Sequence, residues 1–177
     1  MSRIPYKPAD LSEPKDLVDA IRQRRGGTLL NLDRMLLQSP PFARGWNAFL
    51  GEVRTGLTLS PKLRELAICV VAVLNGAPYE FGHHAPEFIK AGGTALQVEA
   101  MQKLNLDGHD LSLFDSAERA ALLLTIEMTR QVEVSDTCFA AVRAALPNEQ
   151  QVVELVGVIA TYNMVSRFLV ALGVEPE

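Results

Sequence analysis

Residues 152–172, "VVELVGVIATYNMVSRFLVAL", constrain the fold more than any other part of the chain. The only polar side chains among them are Glu154, Thr161, Tyr162, Asn163, Ser166 and Arg167. A helix that is apolar around most of its circumference must be buried on most sides. A bundle of 177 residues has little room for that, so the pattern predicts that another subunit covers part of this helix. A central core helix in a monomer is the alternative.

Proline and glycine divide the rest of the chain into short helical segments. The first dozen residues are Pro-rich and read as an extended arm, 1–12. "SEPKDLVDAIRQRRGG" reads as a helix capped by Ser12 and stopped at Gly26-Gly27. "LLNLDRMLLQSP" is a short helix ended by Pro40-Pro41, and "PPFARGWNAFLGEVRTG" places Phe42, Trp46, Phe49 and Leu50 at helical spacing. "LSPKLRELAICVVAVLNG" has Ser60 as its cap, Pro61 in first position and Asn75-Gly76 as its end. "APYEFGHHAPEFIKAGG" follows, with a kink or interruption predicted at Pro86. A helix capped by Thr94, a loop "NLDGHDLSL", a helix capped by Ser116 or Asp115 and a helix broken by Pro147 lead to the last segment. No alternating strand pattern occurs, which makes the chain a single all-α domain over 1–177. "RELAICVVAVLN" and "VELVGVIATYN" echo each other, with Glu-Leu heading each apolar run.

Composition narrows the function classes. The chain is 48% apolar and 21% charged, as a soluble globular protein is. The net charge is −4, and no basic block exceeds "RQRR", which argues against nucleic acid as a partner. No stretch of 18 residues is uniformly apolar and no signal core opens the chain, so no membrane association and a cytoplasmic location are expected. Cys69 and Cys138 each sit in an apolar helical context and read as buried reduced thiols, with a disulfide or redox couple as the alternative.

The chemistry-bearing residues cluster in Tyr79, Glu80, His83 and His84. On a helix Glu80 neighbours both histidines, and an antiparallel turn at Asn75-Gly76 could bring Glu65 towards His84. Glu65 heads an apolar run. If it faces inward it needs a partner, because an unpaired buried carboxylate is costly. A histidine would satisfy it, and the pair could shuttle a proton near neutral pH. The plain alternative for His84 is a hydrogen-bonded helix histidine without chemistry. Glu80-x-x-His83 has the ligand spacing of di-iron bundles, but such sites need the motif twice, and the third histidine, His109, falls in the predicted loop. No metal and no cofactor are expected.

"LSPKLRELAICVVAVLNGAPYEFGHH" resembles the core of the carboxymuconolactone decarboxylase family, which includes the alkylhydroperoxidase AhpD. "VVELVGVIATYNMVSRFLVALGVEP" resembles the C-terminal helix of its cysteine-free members. The resemblance spans residues 59–92 and 149–176. It implies an AhpD-like helical bundle assembled into a homo-oligomer, a trimer or hexamer. The peroxidase branch has a glutamate, two cysteines and a histidine at spacings that fall here on Glu65, Ala77, Glu80 and His84. The proton-handling residues are present and both thiols are absent.

The resemblance therefore implies a cofactor-free lyase or isomerase. It would use His84, Glu65 and Glu80 for acid–base catalysis on a small carboxylated or lactone substrate. Tyr79, His83 and Tyr162 would bind that substrate, and Arg64 or Arg167 could hold a carboxylate. The alternatives are a peroxidase-related oxidoreductase using Cys69 and a non-catalytic, small-molecule-binding oligomer.

Overall fold

The computed structural model describes residues 1–104 and 111–177, and among them every regular element is helical. His109 and most of the predicted loop before Leu111 lie outside the described residues. The chain forms two compact units.

The first unit comprises Met1–Leu57 and Leu169–Glu177. It holds α1 (Lys15–Arg25), α2 (Asn31–Leu36) and α3 (Pro40–Thr55). Leu17, Val18 and Ile21 of α1, Leu32, Met35 and Leu36 of α2, and Ala43, Trp46, Leu50 and Val53 of α3 are buried at helical spacing, so each helix turns one apolar stripe inward. Ser12 does not cap α1. The helix starts three residues later, with Pro14 at the cap position, because proline fixes a helix-compatible φ and has no amide to satisfy. The arm is extended but pinned at several points. Arg3 donates its backbone N–H to Leu172 O at 2.9 Å, Tyr6 accepts from Glu175 N at 2.9 Å, and Arg34 Nε donates to Lys7 O at 2.6 Å. Buried Asp33 anchors this unit, accepting from Arg24, from Arg25 and from Leu30 N.

The second unit, Thr58–Phe168, carries α4 (Pro61–Leu74), α5 (Pro78–Lys90), α6 (Ala95–Gln102), α7 (Ser116–Arg130), α8 (Asp136–Ala145) and α9 (Glu149–Leu172) as far as Phe168. In α4 every residue from Glu65 to Ala72 is buried, so it is the helix the unit packs around. Gly76, at φ +63°, turns the chain in the left-handed region that glycine adopts without strain. Ala77 N then donates back to Ala72 O at 2.8 Å, and α5 returns antiparallel along α4. Ser60 stands at the cap position of α4, but its side chain makes no cap bond. Glu154, the echo of Glu65, instead accepts from Thr58 N at 3.0 Å and Leu59 N at 2.7 Å, tying the entry of α4 to α9.

Two caps match the sequence pattern: Thr94 and Asp115 form capping boxes with Gln97 and Glu118. Ser135 also caps its helix, accepting from Cys138 N. Pro86 does not interrupt α5, which runs unbroken through it. Pro86 and Gly82, whose carbonyl loses its usual donor there, are both exposed, so water can replace the missing bond.

In α9 one side is buried and one is not. Val152, Leu155, Val158, Ile159 and Tyr162 are buried, whereas Val153 is 70% exposed and Met164 39%. The expectation of burial on most sides is therefore not met within one chain. With 24 residues and a mean hydropathy of 1.7, α9 is long and apolar enough to cross a membrane, but half of that window is buried inside the protein, as in a core helix.

Candidate active site

Glu65 stands in the second turn of α4 and His84 in the second turn of α5. The antiparallel hairpin brings them together, with His84 Nδ1 2.6 Å from Glu65 Oε2. The other oxygen, Oε1, accepts from Arg64 Nε at 3.1 Å. Burial alone would raise the pKa of Glu65. The hydrogen bonds and charges of His84 and Arg64 outweigh it and hold the carboxyl below the ordinary carboxylate range. An ionised carboxylate only accepts, so Nδ1 carries the proton and donates it. In that tautomer Nε2 is the basic nitrogen of the ring.

Tyr162, fully buried on α9, stands edge-on to the His84 ring at 5.0 Å between centroids and 85° between planes. This contact limits the imidazole's rotation. Asn163, the next residue, does not join the site. Its side chain accepts from Asn75 Nδ2 at 3.0 Å and Arg167 Nη1 at 2.7 Å, and donates to Thr129 Oγ1 and Ile159 O, both at 3.0 Å. That network ties the α4–α5 turn to α7 and α9. Arg167 joins it through Nη1.

The other expected site residues divide. Glu80 is buried, close enough to Cys69 for its charge to act on that thiol. The rings of Tyr79 and His83 lie 4.5 Å apart between centroids, tilted by 55°. A helix turns about 100° per residue, so His83 leaves α5 in a different direction from His84. The structure thus brings together Glu65, His84, Arg64 and Tyr162, and places Tyr79 and His83 in a separate pair. A cavity of about 250 Å³ opens at the α4–α5 turn, lined by Ala72, Val73, Gly76, Ala77, Pro78, Phe81 and Gln102.

Cys69 is fully buried. Burial first, then the charges of Glu65 and Glu80, push its thiol far above the ordinary range. Cys138 is pushed up to about 11 by burial and by Glu127. Both cysteines are free. Among the described residues, no group of three or more His, Cys, Asp or Glu is placed to hold a metal ion.

The sequence reading missed Glu118. Buried on α7, it pairs with Lys62 Nζ of α4, accepts from Gln97 Nε2 of α6 at 2.9 Å and from Asp115 N at 3.0 Å. It fixes the start of α4, on which Arg64 and Glu65 stand. The Asp-x-x-Glu spacing that marks a capping box was its only signal.

A model of the carboxymuconolactone decarboxylase family matches residues 40–127, which contain Arg64, Glu65, Cys69, Glu80 and His84. Over this stretch the chain is similar to the carboxymuconolactone decarboxylase family. Ala77 and Glu80 stand where the peroxidase branch of that family has its two cysteines. No curated protein matches it by sequence. Among solved structures it is similar to an uncharacterized peroxidase-related protein from Ralstonia eutropha JMP134 with an alkylhydroperoxidase AhpD core. That pair has a TM-score of 0.82 and 19% identity, over 99% of this chain and 92% of that one. A peroxidase-related protein from Silicibacter sp. TM1040 has a TM-score of 0.77 and 20% identity, over 100% and 95%. A cysteine-to-alanine variant of the debrominase Bmp8, in complex with 2,3,4-tribromopyrrole, has a TM-score of 0.79 and 18% identity, over 100% and 94%. At these identities the likeness shows the fold, which is AhpD-like.

Proposed function

We propose that this protein is a cofactor-free acid–base enzyme of the lyase or isomerase type. In this reading His84 Nε2 moves a proton on a small carboxylated or lactone substrate. The observation that carries it is the 2.6 Å bond from His84 Nδ1 to Glu65, a carboxylate held ionised. That bond fixes the tautomer, orients the ring and stabilises the imidazolium formed when Nε2 takes a proton. Glu80, buried one turn before His84, is the second acid–base candidate. Tyr162 holds the imidazole from one side, and Tyr79 and His83 are the candidate substrate-binding residues on α5.

The decarboxylase chemistry for which the family is named loses carbon dioxide and moves one proton, which suits this pair and needs no thiol. The debrominase complex, in which the fold accompanies a small ring, supports a small planar ligand. Thiol chemistry through Cys69 is disfavoured by full burial and by a thiol pushed away from ionisation. The exposed apolar side of α9, with Val153 and Met164, supports self-association. Two free cysteines suit a cytoplasmic location.

The test is turnover of a panel of lactones and β-keto acids by wild type and by His84→Gln. Turnover by wild type, lost in the variant, is expected. If wild type turns over no member of the panel, or the variant matches it, the reading fails.

A further inference from the structure

Glu65 accepts from two side chains, one on each oxygen. His84 takes Oε2, and Arg64 takes Oε1 through Nε alone. Among the described residues, the terminal nitrogens of Arg64, Nη1 and Nη2, have no hydrogen-bond acceptor. The Arg64 side chain is only 16% exposed, beside His84 at 14% and Glu65 at 6%. A guanidinium so far withdrawn from water gains more from an anion than a surface arginine does. Its Nε tether also fixes the plane in which the two terminal groups lie. A planar pair of N–H donors fits a carboxylate with two parallel bonds. Because the same Glu65 carboxylate holds Arg64 and His84, the donor pair and the imidazole keep a fixed separation.

We propose that Arg64 is the seat of a substrate carboxylate and the specificity-determining residue of the site. The site then takes small carboxylate anions in preference to neutral lactones, with the acidic C–H placed towards His84 Nε2. This rests on the acid–base reading of Glu65 and His84. Arg167 is exposed at the surface and its Nη1 bonds Asn163 rather than Glu65, so it lacks the tether that fixes Arg64 beside His84.

The test uses benzoate, 2-furoate and pyrrole-2-carboxylate as probes, each against its carboxamide. Binding is followed by calorimetry and by the His84 imidazole resonance. Saturable binding of at least one carboxylate, with a shifted His84 signal, is expected, and its carboxamide should bind at least about tenfold more weakly. Arg64→Gln should lose at least about tenfold in carboxylate affinity. Arg64→Lys, which keeps the charge and loses the planar pair, should also bind more weakly and serves if Arg64→Gln does not fold. His84→Gln should still bind the carboxylate in calorimetry. Equal binding of carboxylate and carboxamide, wild-type affinity in Arg64→Gln and Arg64→Lys, or no binding of any carboxylate by wild type overturns the proposal. Carboxylate binding that depends on Arg64, in a protein that transfers no proton, supports the seat and removes the acid–base reading instead.

Discussion

His84 Nδ1 donates to Glu65 Oε2 at 2.6 Å, although the residues are 19 positions apart on different helices. The reversal at Gly76 makes the contact possible, and the packing of α5 on α4 holds it. Its consequence is chemical. One imidazole nitrogen is fixed as a donor, and in the proposed function the other exchanges protons.

Glu65→Gln keeps the side-chain shape and removes the charge. The His84 imidazole should then titrate at a lower pH than in wild type, because the carboxylate that stabilises its charged form is gone. Breaking a buried pair by removing one partner costs roughly 3 kcal/mol. Proton NMR of His84 and urea unfolding of both proteins measure the two effects.

The depressed Glu65 pKa also sets a pH window. A carboxyl whose folded pKa lies below its unfolded value adds stability above that unfolded value, near 4.5. That stability is lost as pH falls through the lower folded value. The advantage of wild type over Glu65→Gln should therefore persist at pH 6 and shrink as acid is added below about pH 4.5. A difference that grows towards low pH would mean that the Glu65 pKa is not depressed in the folded protein.

Neither thiol should react in the native protein. Burial raises Cys69 far above the ordinary thiol range and Cys138 to about 11, leaving almost no thiolate at pH 8. Titration with Ellman's reagent should find slow modification in buffer and two rapid equivalents in guanidinium chloride. Cys69→Ala should leave any turnover intact.

Asn163→Ala should be among the more destabilising single changes in the second unit. It strips partners from Asn75, Thr129 and Arg167 and leaves a small void beside Tyr162. At about 1 kcal/mol per net hydrogen bond, the cost should reach roughly 2–4 kcal/mol, read from denaturant midpoints at constant slope. A loss below about 0.5 kcal/mol would mean the network carries little load.

Much of this was legible in the sequence, and the parts that were not share a physical cause. Proline and glycine marked the helices, and Thr94 and Asp115 were readable as caps because capping is local. Ser12 and Ser60 look equally good as caps, but a side-chain bond depends on backbone angles that residue type does not fix. Glu65 and His84 could be paired because one short turn joins their helices. Glu118 could not, because its partners Lys62 and Gln97 meet it only after α4, α6 and α7 have packed. Arg64 was named beside Arg167. Only tertiary contacts separated them, committing one to Asn163 and leaving the other beside His84. The outer side of α9 reads as core by composition, yet Val153 and Met164 face outward.

Proton transfer by His84 is read from solvent deuterium exchange into the acidic C–H positions of a panel of small β-keto acids and carboxylated lactones, followed by proton NMR. Wild type should catalyse exchange in at least one of them, and His84→Gln should slow it by roughly a hundredfold or more. Equal exchange by wild type and variant, or none above buffer with any compound, would contradict the account.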